Sequence, residues 1–214
     1  YDLGGSEYLH KVHGLLRGQP PRVDLDRERA VGQCCAALVR AGLAVAAHDL
    51  SEGGLLVALA ESCLLGHRGA AGEGGAKPQF PPSGVGCAVV LPLPREVGAA
   101  PAPSAVAQLF HEAPGRYLLA IPAGLQAEAR LRCHEHGVPL WPLGRSGGAE
   151  LVVRAALPDS NSATQKAGKV PGSEGAQRPQ GSPGSGDDRF REVLRVPVEA
   201  LRAAYHGGLQ RILS

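Results

Sequence analysis

The seven residues His48-Asp49-Leu50-Ser51-Glu52-Gly53-Gly54 bring two carboxylates, a hydroxyl, an imidazole and a glycine pair into one short run. A short apolar stretch precedes them and a helix-periodic apolar stretch follows, so the run joins a strand to the start of a helix. Free backbone N–H groups and the positive end of the helix dipole gather at such a junction, and together they attract anions. Gly53 and Gly54 let a phosphate approach the backbone, whereas Asp49 and Glu52 would repel it unless a cation lay between them. A hard divalent ion such as Mg²⁺ resolves the conflict, because it takes carboxylate and phosphate oxygens together. Asp49 is then the candidate metal ligand, and Ser51, Gly53 and Gly54 are the candidate nucleotide-binding residues. A plainer arrangement uses the same residues: Ser51 caps the helix, Asp49 and Glu52 complement its dipole, and the glycines make the turn. His48 reads as a hydrogen-bonded structural histidine.

Capping residues and apolar periodicity outline the elements that must hold this run. Ser6 caps a short helix over Glu7 to His13, which Gln19-Pro20-Pro21 ends. A second helix follows Asp24, with Val31, Cys34, Cys35, Leu38 and Val39 on one face and Gly42 closing it in a left-handed conformation. Leu43 to Ala47 is expected as a buried strand and His48 to Gly54 as a tight polar loop. Leu55, Leu56, Leu59, Ala60, Cys63 and Leu64 line the next helix, with Gly66 as its stop, and Arg68 to Ser83 is an exposed loop. Strand alternation resumes at Val85, Cys87, Val89 and Leu91. A short helix over Ser104 to His111, a strand over Tyr117 to Ile121 and a helix over Leu125 to Glu135, closed by Gly137, come next. Strands are expected over Val138 to Leu143, with Trp141 in the core, and over Glu150 to Leu157.

Pro158 to Asp188 collapses to Ser, Gly, Pro, Gln, Asn, Lys and Asp and is expected to be disordered, at a place where a surface insertion is tolerated. Arg191 to Val196 is a strand, and Pro197 suits the first position of a helix carrying Val198, Leu201, Tyr205, Leu209 and Ile212. The order lacks the regular βαβ repeat of a doubly wound fold. The expected class is α/β of the α+β kind, a layer of helices packed on one mixed sheet. Residues 1–22 form an opening helix and linker, 23–157 with 189–214 form the domain, and 158–188 form the insertion.

Bulk properties narrow the function. A net charge of +2 creates no one-signed field of the kind nucleic-acid and membrane-surface binders use, so neither partner is expected. The longest apolar run falls far short of the roughly 20 residues that span a bilayer, and a cytoplasmic location is expected. The five cysteines lack CxxC spacing and sit in apolar segments, as buried reduced thiols do. Cys133-His134-Glu135-His136 resembles a metal cluster only in composition, because helix neighbours one or two apart point in different directions. With no methionine and Tyr1 first, the chain is expected to have been removed from a longer product.

Leu3-Gly4-Gly5-Ser6-Glu7-Tyr8, Val12-His13-Gly14, Ala47 to Leu55 and Ala58-Leu59-Ala60-Glu61 together resemble the second carboxy-terminal domain of phosphoribosylformylglycinamidine synthases. Aminoimidazole ribonucleotide synthetase, selenophosphate synthetase and thiamine-monophosphate kinase carry looser versions of the Asp-x-Ser-x-Gly pattern but not the upstream element. The resemblance implies a PurM-like carboxy-terminal domain of an ATP- and glutamine-dependent ligase that converts formylglycinamide ribonucleotide to its amidine in purine biosynthesis. It also implies that Asp49 binds Mg²⁺ and Ser51 lies beside the phosphates of ATP or ADP. The implied partners are amino-terminal PurM-like domains, which would supply the remaining metal and nucleotide ligands, and a glutamine amidotransferase domain or subunit; the fragment alone would be inactive. A structural or interaction domain that binds no nucleotide, and a kinase or synthetase relative, remain the alternatives.

Overall fold

The computed structural model of the chain describes residues 2–65, 84–91, 104–156 and 190–213. The expectations for Gly66 and for the stretches 68–83 and 158–188 lie outside these residues. Helix α1 (Glu7–His13) starts where the Ser6 hydroxyl accepts from the Leu9 N–H, and Gly14 closes it at φ 64°. Helix α2 (Leu25–Arg40) starts where the Asp24 carboxylate accepts from the N–H groups of Asp26 and Arg27. At its end Gly42 adopts φ 70°, and the N–H groups of Leu43 and Ala44 both turn back to the Leu38 carbonyl.

That turn corrects one expectation. Leu43 and Ala44 are apolar because they seal the end of α2, where both are buried, and not because they form a strand. The strand β1 is Ala46–Asp49, exposed except at the half-buried His48. It therefore takes in His48 and Asp49, which the sequence pattern assigns to a loop.

The remaining elements are α3 (Gly54–Leu65), β2 (Cys87–Leu91), α4 (Ala105–Phe110), β3 (Tyr117–Ala120), a 3₁₀ turn (Ala123–Leu125), α5 (Gln126–Glu135), β4 (Gly144–Ser146), β5 (Glu150–Ala156), β6 (Phe190–Pro197) and α6 (Val198–Leu213). Helices pack on a mixed four-stranded sheet of order β4-β2-β5-β6, in which β2 and β5 run parallel and the outer pairs antiparallel. The strands do not all join this sheet, because β1 and β3 form a separate antiparallel ladder. β3 separates two apolar clusters: Leu118 packs on the larger one, built from α3 and the sheet, and Leu119 on the smaller one between α2 and α5. Successive side chains of a strand point to opposite faces, so one short strand serves both.

Residues 138–143 are not a strand. Pro139 and Pro142 have no N–H to give to a ladder. Val138 and Leu140 instead rest on the smaller cluster and Leu143 on the larger, which leaves Trp141 68% exposed and outside the core expected for it. Pro197 ends β6 and does not open α6. Val39 and Tyr205, assigned to apolar helix faces by their spacing, are exposed as well.

Four of the five thiols meet in pairs, with Cys34, Cys63 and Cys133 buried and Cys87 half-buried. Cys34 Sγ lies 3.6 Å from Cys133 Sγ in the smaller cluster, and Cys63 Sγ lies 3.6 Å from Cys87 Sγ in the larger. Burial, helped by the contact with Cys133, pushes the Cys34 thiol up to about 12; the bond to Cys87 together with burial pushes Cys63 up as well. A thiol must ionise to react. Iodoacetamide at mildly alkaline pH should therefore leave Cys34 and Cys63 unmodified in the folded chain over a time in which the unfolded chain reacts fully. Mass spectrometry of the peptides checks this, and alkylation of folded Cys34 at the rate of a free thiol would contradict it.

Candidate functional site

The polar run lies on the rim where β1 hands over to α3. Leu50 between them is buried, and its N–H donates to the Arg116 carbonyl at 2.9 Å, which extends the β1–β3 ladder by one bond. The buried Leu50 leaves the Asp49 and Ser51 side chains facing outward on either side of it. Asp49 has 65% of its side chain exposed, and its Oδ2 accepts from the Ser51 hydroxyl at 3.0 Å. The Ser51 hydroxyl is thus turned to Asp49 and away from the first turn of α3, so it does not serve as the cap of that helix. His48 Nδ1 sits 2.6 Å from the Asp49 carbonyl oxygen and Nε2 sits 3.0 Å from Glu61 Oε2, which ties β1 to the outer face of α3. That is the structural role its setting suggests.

The glycine pair is buried, with Gly53 at φ 76° and Gly54 at φ 63°. A Cβ on Gly54 would lie 2.8 Å from the carbonyl oxygens of both Leu109 and His111. The space beside Gly54 is therefore filled by the end of α4. The Gly53 N–H is also taken: it donates to Glu112 Oε1 at 2.8 Å, and the same oxygen accepts from the Glu7 N–H at 2.9 Å. Local spacing points to neither bond, because the partners lie 59 and 105 residues from Glu112. The available signal was compositional: a carboxylate two residues past the end of α4 and before Pro114-Gly115, where unpaired donors from other elements can converge.

Around Glu112 the leading segment closes in. Tyr8 stacks on Phe110 at 4.2 Å between ring centroids, and the backbone of Gly4 abuts that of Gln19. A groove of about 300 Å³ opens here, lined by Asp2, Gln19, Arg22 and His111 among others. Burial holds the His111 imidazole below its ordinary value, against a smaller opposing effect from its bond to the Asp2 backbone.

Among the described residues no group of three or more His, Cys, Asp or Glu side chains is placed to hold a metal ion, the His134 and His136 region included. Asp49 still suits Mg²⁺ as a single hard ligand, since its carboxylate is exposed and Mg²⁺ keeps several waters while using one or two carboxylates and the phosphates of a nucleotide. Exposed Glu52 adds negative charge next to it.

Residues 2–155 match the family model described as AIR synthase related protein, C-terminal domain. The phosphoribosylformylglycinamidine synthase subunit PurL of Anaeromyxobacter dehalogenans (strain 2CP-C) is 40% identical over 156 residues, covering 73% of this chain and 19% of that protein. The same subunit from Moorella thermoacetica is 39% identical over 155 residues, covering 72% and 18%. In Thermosynechococcus vestitus a stretch of 68 residues reaches 60% identity, covering 32% and 9%. The chain spans at most about a fifth of the length of these relatives. The structure of PurLQS from Thermotoga maritima superposes with a TM-score of 0.52 at 17% identity, covering 92% of this chain and 24% of that one, a likeness of fold.

Proposed function

We propose, on the premise that the chain belongs to the AIR synthase related protein C-terminal domain family, that it is the carboxy-terminal nucleotide-site domain of a phosphoribosylformylglycinamidine synthase. The whole enzyme would convert formylglycinamide ribonucleotide to the amidine in the cytoplasm, with ATP and with ammonia from glutamine. This domain would contribute one metal ligand, Asp49, and one phosphate contact, Ser51, to a composite Mg²⁺–nucleotide site. Partner domains of the longer protein, and a glutamine amidotransferase domain or subunit, would supply the rest. The opening segment 1–22 would lead in from those partner domains.

The observation that carries the reading is the exposed pair Asp49 and Ser51, joined at 3.0 Å where β1 hands over to α3. When bound, Mg²⁺ would offset the charge of a nucleotide phosphate. The chain's own residues would hold it: Asp49 presents a carboxylate oxygen, Ser51 fixes that carboxylate and can turn its hydroxyl toward phosphate, and Leu50, buried between them, keeps both on the rim.

The experiment is a titration of Mg²⁺–ADP binding in the intact synthase, with thermal unfolding followed in parallel. Asp49→Asn keeps the shape and removes the charge, so affinity should fall by about 10-fold or more. Ser51→Ala should cost about 3-fold, the size of one hydrogen bond. Both variants should melt like the parent, because Asp49 is exposed and Ser51 does not cap α3. Parent-like affinity in Asp49→Asn would leave the second reading, a structural domain that binds no nucleotide. One observation favours that reading: Glu112 and the end of α4 already fill the places beside Gly53 and Gly54.

A further inference from the structure

Glu112 follows α4, and one oxygen of its half-buried carboxylate accepts from two backbone donors that belong to different elements. The Glu7 N–H opens α1, and the Gly53 N–H lies in the turn that opens α3. Helix starts leave such donors without an intrahelical partner, and an ionised acceptor forms the stronger hydrogen bonds there. The carboxylate does at this point what a bound anion would do. It holds the two segments together while the Gly53 turn keeps φ 76°. Two neighbouring contacts brace the same arrangement: the Arg116 guanidinium donates to the His111 carbonyl at 2.9 Å, and Tyr8 of α1 stacks on Phe110 of α4.

We propose that Glu112 is a positioning residue for the loop 49–54: it is a built-in anion that fixes the Gly53 turn against α1 and leaves only the Asp49 and Ser51 side of the junction open to a phosphate. The inference rests on the nucleotide reading given above and deepens it. With the backbone donor occupied, a phosphate reaches the junction through the metal at Asp49, so inorganic phosphate without Mg²⁺ does not compete with Mg²⁺–ADP. Glu112 itself touches neither nucleotide nor metal and acts through the shape of the loop.

The test uses the full chain for amide hydrogen exchange and the intact synthase for Mg²⁺–ADP titration, with the variants Glu112→Ala and Glu112→Gln. Exchange at the Glu7 and Gly53 amides should quicken together in Glu112→Ala by about 10-fold, the loss of a charge-assisted acceptor. Added acetate, a free carboxylate that fits the vacated place, should slow both again and recover Mg²⁺–ADP affinity, whereas acetamide should do neither. Glu112→Gln keeps one acceptor oxygen and should quicken the same two amides by a smaller factor, so it decides the matter if Glu112→Ala does not fold. Unchanged exchange at either amide, or a loss of nucleotide affinity that acetate leaves untouched, would overturn the proposal. If Asp49→Asn binds Mg²⁺–ADP like the parent while both exchange effects appear, the nucleotide reading fails and the Glu112 anchor stands. If Asp49→Asn weakens binding and Glu112→Ala does not, the anchor fails and the nucleotide reading stands.

Discussion

Gly54→Ala is expected to lower stability by roughly 3 kcal/mol, which combines about 1–2 kcal/mol for a Cβ in the left-handed region with a steric cost of similar size. The backbone there has φ 63°, and the added carbon would meet two carbonyl oxygens at 2.8 Å. Those oxygens belong to backbone at the end of α4, so no side-chain rotation relieves the contact; α3 must move away from α4. In a chain of this size the melting temperature should drop by about 10 °C. The displacement also pulls the Gly53 turn from Glu112, so Mg²⁺–ADP binding by the intact synthase should weaken in the same variant. Gly32→Ala is the control. Gly32 lies inside α2 with nothing beyond its chain neighbours and its own helix backbone within 4 Å of its would-be Cβ and no positive φ, so alanine there should stabilise by about 0.5–1 kcal/mol. A Gly54→Ala chain that melts with the parent would show that the α3–α4 contact yields freely.

The second large effect belongs to the sheet. Leu151 and Val153 are fully buried on β5, which lies between β2 and β6 and meets α3 in the larger cluster. Leu151→Ala removes most of a side chain from a place closed on every side, and such truncations cost about 2–5 kcal/mol. Denaturant unfolding monitored by circular dichroism should show a lower midpoint with the slope unchanged. Leu131→Ala, at a site 60% exposed on α5, should shift the midpoint very little. A loss of less than about 1 kcal/mol at Leu151 would mean that the cluster collapses into the gap.

Much of this was readable from the chain because the relevant signals are local. Ser6, Asp24 and Gly42 act within a few residues of the helix ends they mark, and each does so. The buried positions of α3 recur at helical spacing, and Leu55, Leu59, Cys63 and Leu64 are all in the core. One group of errors shares a physical origin, since apolar composition favours burial without fixing the kind of backbone that achieves it, whereas Trp141, Val39 and Tyr205 are apolar or aromatic residues that the fold leaves exposed. Leu43 and Ala44 are buried by a helix-closing turn, and Val138, Leu140 and Leu143 cover the clusters from irregular backbone interrupted by prolines. Within the candidate site, the sequence brought Asp49 and Ser51 together correctly as neighbours. It could not show Glu112, whose partners are joined only by the folded arrangement of α1, α3 and α4.

The strand order β4-β2-β5-β6 also bears on how the chain reaches this state. β2 is made early, yet both of its neighbours come from residues beyond 143, and β5 gains its outer partner only from residues beyond 189. The apolar face of α3 waits longer still, because Leu151, Val153 and Val198 complete its cluster. During synthesis the elements α2, β1, β3 and α5 are all made by residue 135, while α3, met on one side by Leu109 and Leu118, lacks Leu151, Val153 and Val198 until β5 and α6 have been made. Non-local pairings of this kind form slowly and leave greasy surface open to wrong partners in the meantime. Part of the apolar face of α3, with the candidate site at its leading edge, therefore stays open to wrong partners between the appearance of α3 and that of α6.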